Sequence, residues 1–262
     1  MKNRSSLAIF TTLLSVLACF GLLPQMQAAP DVVPAPDGCY PGFTTAEGCN
    51  ALRFLTTGAG NTGVGWYSLF LVGAANYNTG VGGGALALNN ADSNTAVGAA
   101  ALLLNTTGTL NTAVGTDAMV YNDTANDNTA VGAAALRNNA GASDNTAIGS
   151  NAMRENTTGE RNTAVGSQAL LDNTTGDDNT ANGLSALRSN TTGNNNIALG
   201  SSAGFSLTTG NNNIDIGNGG VAGESNTIRI GAGFQTSTRL SVMKRSRATR
   251  QVTSTSPSVI MR

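Results

Sequence analysis

The stretch Asn162-Thr163-Ala164-Val165-Gly166 decides how this chain is read, because the chain writes it again and again. The same phrase opens at Asn94, Asn111 and Asn128. It returns as Asn145-Thr146-Ala147-Ile148-Gly149, and in looser form at Asn61, Asn78, Asn179, Asn196 and Asn213. From Asn94 to Asn213 the step is 17 residues; from Asn61 to Asn78 it is also 17, and from Asn78 to Asn94 it is 16. A short fixed period marks an array whose units bury their faces against one another. The expected fold is all-β, a parallel β-solenoid of about ten 17-residue coils.

Composition agrees with an array. Only 11% of the 262 residues are charged and 5% aromatic, while 33 are glycine. Low charge with much Asn, Thr and Gly also suits disorder, but a disordered chain has no reason to keep Val, Ala and Leu in register. The net charge of −1 hides a split: Lys244, Arg245, Arg247, Arg250 and Arg262 follow the last acid, Glu224. The array itself is therefore mildly acidic, which gives no footprint for nucleic acid.

In chain order, Lys2 and Arg4 precede an apolar run from Leu7 to Leu23, then small residues up to Ala29. That pattern predicts a signal peptide over residues 1–29, export, and no membrane span after cleavage. Residues 30–43 form a Pro-rich leader. Cys39 and Cys49 are the cysteines left after cleavage, and in an exported chain they are expected to pair as a disulfide. Residues 44–60 align with the repeat but carry Glu47 where other coils have Val, as suits a capping coil. Residues 61–233 form the repeat head. Residues 234–262 have no heptads, apolar stripe or strand pattern, and are expected to be a disordered or truncated basic tail.

Each coil reads as two short strands and two turns. The first strand, Asn-Thr-Ala-Val, ends at a glycine suited to positive φ. An Ala-Leu or Ala-Met pair follows, as at Ala118-Met119, and then a turn, often Asn-Thr-Thr-Gly. Side chains alternate along a strand, so Thr112 and Val114 share one side while Asn111 and Ala113 share the other. Val64, Val81, Val97, Val114, Val131, Ile148, Val165, Leu199 and Ile216 are read as the intrachain core column. Gly63, Gly80, Ala96, Ala113, Ala130, Ala147, Ala164, Ala181 and Ala198 form a column of small residues. Two packings suit it, the approach of partner chains or the inside of the coil, and the first is the expectation. The recurring first Asn is expected to form an amide ladder. Asn182, which replaces Val in its coil, has no explanation at this level.

Catalytic machinery is not expected. The chain has no His, which removes the commonest general base and metal ligand. It also lacks a Gly-x-Ser-x-Gly elbow, and Val81-Gly82-Gly83-Gly84 lacks the Lys of a phosphate loop. Its acids sit at turns without calcium-loop spacing. No catalytic, cofactor or metal site is assigned.

The repeat Asn-Thr-Ala-Val/Ile-Gly-x-x-Ala-Leu, over about residues 44–231, resembles the head repeats of trimeric autotransporter adhesins of the YadA-like kind. It is also similar to longer arrays in exported bacterial and phage tail-fibre-like proteins, although its period exceeds that of the adhesin heads. The resemblance implies a left-handed β-roll, a homotrimer with the Ala column near its axis, and display on a bacterial outer surface. The function expected is attachment to an unknown surface, matrix or glycan ligand. The alternatives are a chaperone-matured tail-fibre-like protein and a monomeric module binding glycan or ice. The inward Thr expected above counts against ice.

Overall fold

The computed structural model describes residues 42–231. These form one β-solenoid with a single strand per coil: β1 Thr45–Glu47, β2 Thr62–Val64, β3 Thr79–Val81, β4 Thr95–Val97, β5 Thr112–Val114, β6 Thr129–Val131, β7 Thr146–Ile148, β8 Thr163–Val165, β9 Thr180–Asn182, β10 Ile197–Leu199, β11 Ile214–Ile216 and β12 Ile228–Ile230. All pair in parallel, in chain order, as one 12-stranded sheet. At about 4.8 Å per step the stack is roughly 53 Å long. Like residues lie on like: Thr112 on Thr129, Ala113 on Ala130, Val114 on Val131.

The irregular steps stay in this register. The 16-residue coil still sets Thr79 beside Thr95, and it keeps Asn89 in line, so its missing residue falls in the second turn. At the far end Ile214 pairs with Ile228 and Asp215 with Arg229. Thr227 therefore takes the first-Asn place, its N–H bonded to Asn213 Oδ1 at 3.1 Å.

The expected second strand does not form. Around the Ala-Leu pair the backbone enters the left-handed region at two residues per coil, as at Asp117 (φ 57) and Met119 (φ 50). Coils still bond to their neighbours there: the Leu102 N–H donates to the Ala118 carbonyl at 3.0 Å, and the Asp117 N–H to the Ala99 carbonyl at 3.0 Å. Left-handed φ at a bulky residue costs on the order of 1–2 kcal/mol, and it persists here because stacked copies hold one another. It aims Leu and Met into the coil, where they are fully buried.

The core is the reverse of the expected one. Ala96, Ala113, Ala130, Ala147, Ala164, Ala181 and Ala198 are all 0% exposed within the single chain, and they pack with the Leu/Met column. Val97, Val131, Ile148, Leu199 and Ile216 are instead 36–41% exposed on the outer face. The period-2 alternation was right and its inside and outside were exchanged. The physical reason is width. A Cβ added at Gly63 would already lie 3.1 Å from Leu52 Cγ, so the coil has room for Ala opposite Leu and none for Val. The Ala column is intrachain packing, not a surface for partner chains.

Amides fill the rest of the interior. The first Asn forms the expected ladder: Asn128 Nδ2 donates to Asn111 Oδ1 at 3.2 Å, and the Asn128 N–H to the same oxygen at 3.1 Å. A second ladder, which sequence reading assigned to turns, runs through Asn89, Asn105, Asn122, Asn139, Asn156, Asn173 and Asn190, all 0% exposed. The two ladders meet on shared carbonyls: Asn111 Nδ2 and Asn122 Nδ2 both donate to the Ala125 carbonyl, at 2.8 and 3.1 Å. The second ladder stops where Leu207 replaces Asn, leaving Asn190 Oδ1 buried without a partner. The recurrence of this Asn was legible in the sequence, and so was the shared parity of Asn111 with Ala113, but the burial of that side was not.

Candidate functional site

With the small column inside, the surface available for contact is the outer face of the sheet. It is built from the Thr column, the Val/Ile/Leu column and the residue after each corner glycine. From Thr62 to Ile216 these positions carry no charged side chain. The face has two zones. Thr with Val or Ile makes up the rungs from β2 to β8, whereas β10, β11 and β12 present Ile197/Leu199, Ile214/Ile216 and Ile228/Ile230. Asn182 lies between the zones on β9, exposed. Thr therefore points outward, which removes the sequence-based objection to an ice-binding face, although each Thr stands beside an aliphatic rather than a second Thr.

Charge gathers on the turn that precedes each strand. There Arg161 bridges acids of its own and the next coil, bonding Glu160 at 2.7 Å and Asp178 at 2.8 Å. Hydrogen bonding to Arg161 holds the Asp178 carboxyl below its ordinary range. At the N-terminal end an aromatic corner stands out in a chain poor in aromatics. Trp66 meets Tyr67 at 4.3 Å between ring centroids, Tyr67 meets Phe70 at 4.5 Å, and Phe70 meets Phe54 at 4.9 Å. Trp66 is 59% exposed. Sequence reasoning did not single out this cluster, because only the stacking of coils brings Phe54 beside Phe70.

The last coil places charge where the others place Ala. Asp215 continues the small column beneath Ala198, is 1% exposed, and neither carboxylate oxygen has a hydrogen-bond partner. The nearby Arg229 is engaged with Glu224, at 2.8 Å from Nε and 2.7 Å from Nη2. Burial pushes the Glu224 carboxyl up, but hydrogen bonds from Arg229 and the Val221 N–H outweigh it and hold it low. Asp215 has no such partner. Burial, with the Glu224 charge adding to it and Arg229 opposing it, pushes its carboxyl from 3.8 to about 6.

That rise fixes a sign. Between about pH 4 and 6 the folded chain binds a proton that the unfolded chain does not, so stability falls as pH rises through this window, by roughly 2–3 kcal/mol. Below the window that contribution is fully present. Asp215→Ala extends the alanine column and is expected to abolish the loss. The readout is hydrogen exchange of residues 213–231 from pH 4 to pH 7.5, corrected for intrinsic exchange. Protection should fall with pH in the parent and stay level in the variant; parallel profiles would contradict the assignment.

Of the expected disulfide pair, Cys39 lies outside the described residues, and Cys49 is exposed. The signal peptide, all of the leader before Gly42 and the basic tail also lie outside them. Among the described residues no group of three or more His, Cys, Asp or Glu could hold a metal ion, and no helix is long and apolar enough to cross a membrane. A shallow depression at the last coils, lined by Ser201, Ser202, Phe205, Ser206, Gly217, Asn218 and Gly219, has no ionisable side chain in its lining. The chain matches no family model, no curated protein and no solved structure.

Proposed function

We propose that this chain is an exported, non-enzymatic structural head, displayed on a bacterial surface, that assembles side by side with identical chains into a homotrimer and serves attachment. One observation carries the reading: from β2 to β12 the outer sheet face is long, free of charged side chains and lined by a column of partly exposed Val, Ile and Leu broken once, by Asn182. Contiguous apolar surface of that extent on a soluble protein marks a contact surface. From β2 to β12 it is about 48 Å long and about 13 Å wide, roughly 600 Å² per chain, which approaches the ~800 Å² per partner of a standard interface. Identical rungs at one repeat suit a symmetric assembly of copies. The trimer axis then lies along the Thr/Val face, not along the Ala column. The acidic turns precede the strands of that face, the aromatic corner follows β2 with Trp66 at the edge of the face, and these are the surfaces assigned to attachment.

Light scattering on the full-length chain tests the assembly. The expected mass is three times the 26.4 kDa of the chain, and Val131→Lys with Ile148→Lys should return it to the monomer while leaving the β-signal of the fold intact. A folded monomer for the parent chain would sink the trimer. It would favour instead a single-chain binding module, which the outward Thr column from Thr62 to Thr180 supports on its own.

A further inference from the structure

We infer that Asn182 sets the register in which copies of this chain pack face to face; the inference rests on the self-association reading above. Asn182 is the one polar residue in an otherwise aliphatic outward column from Val64 to Ile230. Along the sheet its Cα partners are Val165 and Leu199, and among the described residues its side-chain amide makes no hydrogen bond. With Thr180 it forms a wholly polar rung, flanked by Thr163/Val165 on one side and Ile197/Leu199 on the other. The coil does not require this: Asn182 lies on the outer face, away from the buried ladders, and the same place in other coils holds Val, Ile or Leu without change of backbone.

The consequence follows from what each packing does to the amide. When copies run parallel around an axis along the solenoid, with equal rungs at equal height, each Asn182 meets its own copies. An amide both donates and accepts, so the set can satisfy itself. A slip of one coil sets the amide against the Val165 or Leu199 of a neighbour, buried and unpaired, which is costly. Reversing one chain sets β9 opposite β4 and Asn182 against Val97, with the same result. The rest of the face resists slippage weakly, because Thr/Val rungs repeat from β2 to β8 and look alike after a one-coil shift. A uniform apolar repeat gives association without register, and a single polar residue in it supplies register at some cost in affinity, as a lone buried Asn does in coiled coils.

The test is disulfide trapping between chains. Full-length Thr112→Cys and Thr129→Cys chains are co-refolded at equal amounts, oxidised mildly, and the links identified by peptide mass spectrometry, which separates them from links of the native cysteines. With Asn182 present, 112–112 and 129–129 links should exceed 112–129 links by at least about tenfold. In an Asn182→Val background, which restores the residue type of neighbouring coils and so keeps the fold, the excess should drop to about twofold or less while the oligomer persists. An unchanged excess in the Val variant would overturn the register role and leave self-association standing. Monomeric mass and absence of any interchain link in the parent chain would overturn self-association itself, and the register role with it.

Discussion

Asn145→Asp, a change of one side-chain atom, is expected to cost about 4 kcal/mol or more at neutral pH. Asn145 is 0% exposed. Its Nδ2 donates to the Gly159 carbonyl at 2.9 Å and to the Ser143 carbonyl at 3.1 Å. Its Oδ1 accepts from the Asn162 N–H at 3.0 Å and from Asn162 Nδ2 at 3.2 Å. In the Asp variant a carboxylate oxygen replaces the donor and faces two carbonyl oxygens, with no water to screen the charge. The buried carboxyl will hold a proton in the folded state well above its unfolded pKa, so the variant gains stability as pH falls towards 4, where the protonated group can again donate. Urea unfolding followed by circular dichroism at pH 7.5 and pH 4.5 reads both effects. Because each coil touches only its neighbours, hydrogen exchange should quicken first in the coils around Asn145. A midpoint within experimental error of the parent at pH 7.5 would mean that the ladder does not support the fold.

Gly149→Ala is expected to be comparably severe, at about 4 kcal/mol, for a steric reason. Gly149 sits at the corner after β7 with φ 133, and a Cβ there would lie 2.5 Å from the Gly166 carbonyl carbon and 2.6 Å from its oxygen. Those atoms are backbone of the next coil, whose Gly166 N–H is tied to the Ile148 carbonyl at 2.7 Å and whose Gly166 carbonyl accepts from the Ala169 N–H at 3.2 Å, so neither side can yield by rotating a side chain. The same close approach repeats at Gly98, Gly115, Gly132 and Gly166. Ala on the outer face, as in Ile148→Ala, should by contrast change the stability of a single chain by about 1 kcal/mol or less, since that residue is already 41% exposed. Thermal unfolding of the two variants side by side separates a corner that admits no Cβ from a face that tolerates one. Equal melting temperatures would contradict this account of the stacking.

The amide ladders also explain how so thin a core holds. Each coil from β4 to β9 buries two Ala and one Leu or Met, and full burial of the large one contributes roughly 1.5–3 kcal/mol. That is little against about 1–2 kcal/mol of backbone entropy for each ordered residue. Two buried Asn columns add hydrogen bonds that join successive coils and also close each coil on itself, and such networks strengthen cooperatively. Where the pattern ends, the interior turns charged: Asp215, Glu224 and Arg229 take places held by small or neutral groups in the coils before them. Polar ends are how a solenoid keeps its open edge from stacking on another chain.

By itself the sequence determined the repeat, the parallel in-register stack, the strand at Asn-Thr-Ala-Val, the glycine corner and the alternation of side chains along it. All of these depend on local chemistry that one 17-residue period displays in full. Only the tertiary structure decided which side of the alternation is the inside. Hydrophobicity favours burying Val131 over Ala130, but the closed coil leaves room for a methyl group opposite Leu136 and lets two Asn columns occupy the remainder. That is a matter of the coil's internal width, and width is set by closure of the chain on itself. The left-handed backbone at Met119, the second ladder at Asn122 and the aromatic corner of Phe54 with Phe70 have the same origin. Each is unfavourable or invisible in a single coil, and each is held in place by the neighbouring copy about 4.8 Å away.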